Sequence, residues 1–410
     1  MSFEAEVAIV GSGLNGLAAA VALAGPKARR PVNVAVVDRR DPLSFTPRSD
    51  GRALALTASA RRMLEALGAW EALALHAEAM RHIVVTDSKL ADAKRPALLE
   101  FGEEYAHGKA SAYLAEVFHI QQALVGLAAQ SSHIRFVTGE ATGFHFAPGR
   151  ARISLADGGS VTANLIVAAD GRASPARAAA GIDMTGWDYD QSAIVTTVEH
   201  DLPHQGRAFE HFLPAGPFAI LPLPGNRSSI VWTERRGDAE RIMAFADEEF
   251  AAELLQRFGD TLGAVRIVAP RFSYPLAMYV AKEFVGPRLA LVGDAAHIIH
   301  PIAGLGFNLG LRDVAALAEC VADAVALGLD PGGAEVLDRY ASWRRFDTVA
   351  TAAAMEGLNR LFSSDNPVLR LIRDAGIMAV DRIGPLKSLF MKEAAGQAGS
   401  LPRLMRGEAV

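Results

Sequence analysis

Three short segments of the chain combine glycines with an acidic residue at the end of an apolar run. The first is GSGLNG at Gly11–Gly16, and Asp38 follows it 22 residues further on. The second is LIVAADGRASPAR at 165–177, and the third is LALVGDAAHIIHPIAGLGFNLGLRDV at 289–314. Glycines let the backbone approach a phosphate or a flat ring, and carboxylates accept hydrogen bonds from sugar hydroxyls. These residue types predict a site for a nucleotide cofactor.

The first segment has the spacing of a dinucleotide-binding turn, in which an acid is expected about 20 residues after the glycines. Its three glycines would serve a tight turn, a close approach to pyrophosphate and close packing of a helix. The helix N-terminus would offer free N–H groups to the phosphates, and Asp38 would bind the adenosine ribose. The alternative is a glycine-rich turn without a ligand, and the unit by itself fits NAD or FAD.

The elements that must position these residues follow from the same stretch. EVAIVG is typical of a strand buried on both faces, LAAAVALAG of a helix of small residues, and VNVAVVD of a second buried strand. Residues 7–26 carry no charge, which is about the length of a membrane span or a signal peptide. The glycines, Asn15 and the preceding acidic residues Glu4 and Glu6 favour strand, turn and helix instead.

Composition excludes several other classes of protein. The chain has 410 residues, half of them hydrophobic, which is enough for two to three domains and a large core. With 41 basic and 46 acidic residues the net charge is -5, unlike that of a nucleic-acid-binding protein. The single cysteine, Cys320, forbids an internal disulfide and any cysteine-based zinc site, and we expect no metal. Strand-like runs between about 190 and 275 predict a mostly antiparallel sheet, and 334–410 is mostly helical in pattern.

The three segments, in this order, resemble the FAD-dependent aromatic hydroxylases of the para-hydroxybenzoate hydroxylase fold. Further stretches, among them DGRALALTASARRMLEALGAW, HFLPAGPFAILPLP and HPIAGLGFNLGLRDV, resemble the hydroxylases of ubiquinone biosynthesis over about residues 5–405. The resemblance implies hydroxylation of the aromatic ring of a polyprenyl-phenol, with FAD, O2 and NAD(P)H, through a flavin C4a-hydroperoxide. Hydroxylation of a soluble aromatic compound is the alternative within this class of enzyme.

The resemblance also implies the architecture. It is an α/β fold in which a Rossmann-like FAD-binding domain, from 1–75, 101–180 and 275–350, is interleaved with a mostly antiparallel substrate domain from 76–100 and 181–274. A helical C-terminal region, 351–410, follows. The predicted cofactor-binding residues lie along the three glycine segments, after the second strand and on the helix at 119–130: Gly11, Gly13, Leu14, Asn15, Gly16, Asp38, Arg39, Arg52, Gln122, Asp170, Gly171, Gly293, Asp294, Pro301, Gly304, Gly306, Phe307 and Asn308.

Two positions depart from the pattern of the family. Leu305 stands where the flavin loop usually has glutamine, and Phe118 lies in a stretch that often contains arginine. Either change could weaken flavin contacts, retune the environment of the ring, or mark a flavin-poor paralogue that acts as a binding or assembly subunit of a quinone-biosynthesis complex.

Flavin chemistry needs few protein acids or bases, so no catalytic residue is assigned. The candidates for the ring pocket are His300, Pro301, Phe212 and Trp232. His297 and His300 flank the flavin loop, and each either is fixed there by hydrogen bonds or lines the pocket. The apolar residues of the middle sheet form a wall over the flavin or an ordinary core, while Glu210 and His211 are expected to face solvent.

The C-terminal segment 368–392 is amphipathic at helical spacing, with basic residues beside apolar ones. It would lie on a membrane surface that holds the polyprenyl substrate, or pack on its own domain or in an oligomer contact. The expected location is the cytoplasm, with peripheral contact on the cytoplasmic face of the inner membrane. The partners would be the substrate and a quinone-biosynthesis complex or a second copy of the chain, and no nucleic acid.

Overall fold

The computed structural model describes residues 2–44, 51–87, 97–102, 110, 112–300, 304–362 and 399–410. The N-terminal stretch forms the predicted strand, turn and helix. Its strand is the central member of an eight-stranded sheet, with parallel neighbours on both sides. The strands of this sheet are β1 (Ser2–Val10), β2 (Val34–Asp38), β8 (Ile134–Thr138), β9 (Ala141–Phe146), β10 (Ala151–Leu155), β11 (Ser160–Ala168), β18 (Val285–Gly286) and β19 (Leu289–Leu291).

Helices cover this sheet, because its central strands are apolar on both faces. The long helix that follows the third glycine segment packs against the first helix of the chain. The helices that belong to this half of the molecule are α1 (Leu14–Ala24), α2 (Ala58–Leu67), α3 (Trp70–Leu73), α4 (Val117–Ala129), α5 (Pro175–Ala179), α8 (Leu305–Ala326), α9 (Ala334–Phe362) and α10 (Arg403–Arg406).

The middle of the chain forms a nine-stranded sheet in which most neighbouring strands are antiparallel. Two helices, α6 (Arg236–Met243) and α7 (Asp247–Phe258), belong to this part of the chain. We call the face that packs with them the outer face and the opposite face the inner face. The strands are β5 (His82–Asp87), β6 (Leu99–Phe101), β12 (Met184–His200), β13 (Arg207–Leu213), β14 (Gly216–Leu223), β15 (Arg227–Arg235), β16 (Val265–Ile267), β17 (Phe272–Ala281) and β20 (His297–Ile298).

A small sheet connects the two halves. It consists of β3 (Ala53–Thr57), β4 (Ala77–Met80) and β7 (Ala112–Glu116), in the order β3-β7-β4. Its apolar side chains share a core cluster with the inner face of the nine-stranded sheet, where Ala55 and Leu114 meet Ala208 and Leu223. The predicted fold class, a parallel nucleotide-binding sheet interleaved with a mostly antiparallel one, is confirmed.

Candidate active site

The first and third glycine segments meet at the side chain of Asn15. A Cβ on Gly293 would lie 2.1 Å from Asn15 Nδ2, and one on Gly310 would lie 2.5 Å from the same atom. Both positions therefore require glycine while the asparagine is present. Asn15 Oδ1 is buried and accepts no hydrogen bond from the described residues, so it is left for a group from outside the chain.

Of the three glycines around the start of α1, one has free space beside its Cα atom. A Cβ on Gly11 would meet Ala169 O at 2.4 Å, and one on Gly16 would meet Gly11 O at 1.9 Å. These two glycines therefore serve the packing of the turn itself. Gly13 is the N-cap of α1, and a Cβ there would meet no described atom within 4 Å. The open space at a helix N-terminus suits an anionic group such as pyrophosphate.

Asp38 ends β2 and lies beside this turn. Its Oδ2 accepts hydrogen bonds from Ser12 N at 2.7 Å and Ser12 Oγ at 2.9 Å, while its Oδ1 accepts one from Arg40 N at 3.0 Å. The bonds fix the carboxylate next to the start of α1 and leave lone pairs for sugar hydroxyls. Arg39 is exposed at the same strand end.

The second motif is held against the third. Asp170 Oδ2 accepts a hydrogen bond from Ala176 N at 3.1 Å, while its Oδ1 is buried without a donor among the described residues. Burial raises the pKa of Asp170, although hydrogen bonds from Ser174 and Ala176 oppose the rise. Arg177 donates to Ala295 O at 3.0 Å, which ties this motif to the turn that carries Asp294.

Asp313 on α8 holds the turn that carries Asp294. Its Oδ2 accepts hydrogen bonds from Gly293 N at 3.0 Å and His297 Nε2 at 2.6 Å, and its Oδ1 accepts one from Arg344 Nε at 2.8 Å. Burial alone would raise the pKa of Asp313, but His297 and Arg344 together lower it. His297 is thus fixed by a hydrogen bond, one of the two roles predicted for it.

Asp294 has the opposite environment. Its side chain is solvent-exposed, yet protein surrounds it closely enough that burial raises the pKa of the carboxyl, with His297 opposing the rise. A carboxylate in an open cleft beside Asn15 can accept hydrogen bonds from ligand hydroxyls.

The flavin loop is clamped to the small sheet. Gly304 takes the left-handed conformation, with φ 63°, and a Cβ there would lie 3.2 Å from Ala55 Cβ. Asn308 Nδ2 donates to Ala55 O at 2.6 Å and to Gly304 O at 3.0 Å, while its Oδ1 accepts from Thr57 N at 2.9 Å. The Asn308 amide therefore holds the flavin loop in place. The sequence predicted Asn308 as a cofactor-binding residue but did not indicate this role in holding the loop.

Other predicted residues have simpler placements. Leu14 is the first residue of α1, Gly171 has an open left-handed conformation, Gly306 and the buried Phe307 lie in the first turn of α8, and Gln122 is exposed on α4. Exposed Arg52 has its guanidinium carbon 5.7 Å from the centroid of the Tyr274 ring. Pro301 lies outside the described residues.

The two departures from the family pattern lie on helices that border the site. Leu305 begins α8 directly after Gly304, and nothing more is described of its side chain. Phe118 is half-buried in the first turn of α4, edge-on to the ring of His119 at 5.0 Å between centroids.

His300 is buried just before the flavin loop. Its ring is edge-on to that of Tyr189, with 5.2 Å between the centroids. Burial lowers the pKa of His300 to about 4, against the opposing charge of Glu356. The imidazole is therefore neutral at physiological pH, which suits a ring that lies against an apolar ligand.

The predicted wall of the middle sheet is divided between two faces. Phe212 lies on the inner face, in register with Pro217, whereas Trp232 lies on the outer face against Phe218 and Phe250. Successive residues of a strand point to opposite faces, and the side chain of Trp232 points to the outer face, away from that of Phe212. The prediction that Trp232 lines the ring pocket is therefore wrong. The expectation of solvent for Glu210 and His211 is wrong too, since His211 is buried and hydrogen-bonded to Thr86, and Glu210 is half-buried.

These residues fit a flavin dinucleotide. Two helix N-termini, an open glycine, a fixed carboxylate for the ribose and two buried oxygens without donors among the described residues lie in the three glycine segments, which contact one another. Asn15, Gly13, Asp38, Asp170 and Asp294 would hold it.

Comparisons with known proteins show which family the chain belongs to. The profile of the FAD binding domain family matches residues 4–355. The chain is 44% identical over 408 residues to ubiquinone hydroxylase UbiL of Rhodospirillum rubrum, covering 98% of this chain and 93% of that protein. It is 33% identical to the 3-demethoxyubiquinol 3-hydroxylase of Escherichia coli, covering 95% and 98%.

Solved structures agree with the fold. The crystal structure of p-nitrophenol 4-monooxygenase PnpA from Pseudomonas putida superposes with a TM-score of 0.78, over 97% of this chain and all of that chain, at 19% identity. The predicted resemblance is thereby confirmed. The chain belongs to the FAD-dependent hydroxylase family of ubiquinone biosynthesis.

Proposed function

We propose that the protein is an FAD-dependent monooxygenase that hydroxylates the aromatic ring of a polyprenyl-phenol in ubiquinone biosynthesis, with NAD(P)H as reductant and O2 as oxygen source. The observation that carries the proposal is the meeting of the first and third glycine segments at Asn15, which brings the start of α1 beside the turn of Asp294, as a single FAD site requires. Its similarity to named ubiquinone hydroxylases over nearly the whole chain supports the choice of substrate class.

FAD, once reduced by NAD(P)H, supplies the activated oxygen for transfer to the ring. The chain's own residues bind and orient. The N-terminus of α1 and the open Gly13 would hold the pyrophosphate, Asp38 would hold the ribose, and Asp294 would bind the hydroxyls of the chain between phosphate and ring. The clamp of Asn308 on Ala55 fixes the loop at the ring. The inner face of the nine-stranded sheet closes the cleft on the substrate side and excludes water.

Cofactor binding is tested by one glycine substitution and a matched control. Gly13→Ala and Gly126→Ala add a methyl group where no described atom lies within 4 Å, at backbone angles that alanine accepts. Only Gly13 faces the phosphate site, so Gly13→Ala should lower FAD affinity about tenfold or more while Gly126→Ala leaves it unchanged. The readout is the visible absorption of bound flavin after dialysis. Equal FAD retention by both variants would remove Gly13 from the site.

The reaction is tested on the purified protein. It should be yellow, lose its colour with NAD(P)H in the absence of O2, and add one oxygen atom to a short-chain prenyl-phenol in air. Deletion of the gene, followed by mass identification of the accumulated quinone precursor, would name the ring position. A colourless protein that takes up no FAD would instead support the flavin-poor assembly subunit suggested by Leu305 and Phe118. Hydroxylation of small soluble phenols alone would replace the polyprenyl substrate by a soluble one.

Location and contact with a membrane form a further part of the proposal. A polyprenyl substrate dissolves in the bilayer, so we propose that the protein works on the cytoplasmic face of the inner membrane. In the described part of the chain no helix is long and apolar enough to cross a membrane. The amphipathic segment 368–392, proposed to make the contact, lies outside the described residues. Flotation with vesicles, compared between the full chain and a variant with acidic residues in that segment, tests it.

A further inference from the structure

The inner face of the nine-stranded sheet carries one carboxyl group in a row of short apolar side chains. Glu210 on β13 pairs with Val85 on β5 and with Ala219 on β14. The row continues across the sheet through Val231 and Val195. Because neighbours in register point to the same face, these side chains lie side by side. Glu210 is the longest of them, so the row forms a shallow apolar floor that contains one acid.

The inner face contacts the small sheet that holds the flavin loop. Ala208, two residues before Glu210 and on the same face, belongs to the core cluster that contains Ala55 of the small sheet. Ala55 O in turn accepts the hydrogen bond from Asn308 Nδ2. The chain of contacts runs from the loop through the small sheet to the strand of Glu210. On the outer face the side chains of Phe218 and Trp232 are fully buried, whereas Glu210 and Val231 are half-buried, as expected at the wall of a cleft.

We propose that Glu210 is a catalytic residue of the hydroxylation: its carboxylate accepts a hydrogen bond from the ring hydroxyl of the phenol and takes that proton as the ring attacks. The inference rests on the proposed function and adds the group that recognises and activates its substrate. An apolar floor with a single carboxylate suits a phenol with apolar substituents, which offers one polar group.

The step balances in atoms and electrons. The phenol O–H bond breaks and a carboxyl O–H bond forms on Glu210. The electron pair left on the phenolic oxygen moves into the ring, where the ortho or para carbon forms a new C–O bond to the transferred oxygen atom. The bond between that oxygen atom and its donor breaks at the same time, and the donor keeps the electron pair of that bond. The proton lost from the ring carbon neutralises the donor and restores the aromatic ring, and Glu210 returns its own proton to the phenolic oxygen. Glu210 ends as a carboxylate, and the oxidation is wholly that of the proposed hydroxylation.

The surroundings support a base rather than a structural ion pair. No described residue donates a hydrogen bond to the Glu210 carboxyl, and burial alone raises its pKa to about 7. A general base is most effective when its pKa is close to the working pH.

Ionisable groups near this face are engaged elsewhere. His211 points to the outer face and hydrogen-bonds Thr86, and Arg227 pairs with Glu116 at 3.3 Å. Glu356, on the helix that packs against β14, is hydrogen-bonded by Tyr189. None of these is a cause of the Glu210 shift. The other ionisable residues of β4, β5, β6, β13 and β15, and just before β3, are Arg52, Glu78, His82, Asp87, Glu100, Arg207, Glu234 and Arg235, and β12 adds Asp188, Asp190, Glu199 and His200.

The test uses the FAD-loaded protein, NADH and 2-allylphenol, a small phenol with an apolar substituent. In the wild type, kcat for hydroxylation should fall as the pH drops below about 7, because the carboxylate becomes protonated. Glu210→Gln should lower kcat about 100-fold and remove this limb of the pH profile. KM should change only about threefold, since the amide still binds the hydroxyl. Glu199→Gln, a carboxylate in an ion pair with Arg266 on the same sheet, is the matched control.

NADH oxidation without hydroxylation separates the outcomes. It should continue in Glu210→Gln, because the flavin site is untouched. A variant that keeps kcat within about twofold of the wild type, with the same pH limb, overturns the role of Glu210 and leaves the proposed function intact. A wild type that hydroxylates no phenol overturns both proposals. Should Glu210→Gln fail to retain FAD, Glu210→Asp decides: a lowered kcat with a retained but displaced limb supports the role, and a wild-type profile overturns it.

Discussion

Two carboxyl groups on the nine-stranded sheet, buried Glu234 and half-buried Glu210, have opposite surroundings. Glu234, on the outer face, accepts hydrogen bonds from Trp232 Nε1 at 2.9 Å and from Arg257 Nη2 at 2.9 Å. Glu210, two strands away on the inner face, accepts none from the described residues. A buried carboxylate with a cation and two donors contributes to the fold, whereas one without partners needs another reason to be present.

The same division holds for the apolar residues of the two faces. On the outer face Phe218, Trp232 and Phe250 are fully buried and their rings contact one another. On the inner face the side chains of Ala219 and Val231 are short, and Val231 is half-buried. The outer face therefore builds the domain, and the inner face is the one that we propose receives the ligand.

The largest effect is expected from the partnered carboxylate. Glu234→Gln removes the negative charge beside Arg257, whose guanidinium is buried and stacked on Trp232 at 4.3 Å from the ring centroid. The free energy of unfolding should fall by about 3 kcal/mol, measured by urea denaturation at neutral pH. Hydroxylation by the folded fraction should stay unchanged.

The control removes the other carboxylate that binds the same arginine. Glu253 contacts Arg257 at 2.6 Å but is partly exposed, so Glu253→Gln should cost about 1 kcal/mol or less. Equal losses of unfolding free energy in Glu234→Gln and Glu253→Gln would show that the burial of a carboxylate beside Arg257 does not determine how much it stabilises the protein.

The unpartnered carboxyl should affect stability in the opposite sense. The pKa of Glu210 is raised to about 7 in the folded protein and is about 4.3 in an unfolded chain. Its protonated form favours folding below about pH 4, and this contribution is lost as the pH rises to about 7. Glu210→Gln has no such titration. The free energy of unfolding of the variant minus that of the wild type should therefore be about 1–3 kcal/mol more positive above pH 7 than at pH 4. Unfolding by urea at a series of pH values measures this. A difference that stays constant with pH would contradict it.

Local spacing explains what could be predicted from the sequence. Gly11 to Gly16 and Asp38 lie within one strand-turn-helix-strand unit, so their arrangement depends on residues close in the chain. The role of Asn15 could not be predicted, because its contacts with Gly293 and Gly310 depend on the packing of α1 against α8.

Side chains alternate between the two faces along each strand, and this alternation could have shown from the sequence that the predicted apolar wall of the middle sheet is divided between two faces. Val231 and Trp232 are adjacent in the chain and so cannot line the same face. The period of two separates Leu221 from Phe218 within β14, and the strand register puts Glu210 and Phe212 on the face of Leu221. It does not say which set faces the flavin. That depends on the contact of the small sheet with Ala208 and Leu223, which only the tertiary structure provides.

The smallest effect compares one substitution on the two faces. Phe212→Leu on the inner face and Phe218→Leu on the outer face exchange the same ring for the same aliphatic side chain. Both residues are buried, so each variant should lose about 1–2 kcal/mol in the free energy of unfolding. Only Phe212 lies on the face of Glu210, two residues away, and only Phe212→Leu should raise the KM for 2-allylphenol, by about fivefold.

Steady-state hydroxylation and urea denaturation on both variants measure these two quantities together. The stability losses serve as each other's control, because the exchanged groups are identical and both are covered by protein. A KM that rises equally in both variants would mean that loosening of the sheet, rather than lost contact with the ligand, limits binding. A rise confined to Phe212→Leu places the substrate ring on the inner face, beside the carboxyl group of Glu210, to which no described residue donates a hydrogen bond.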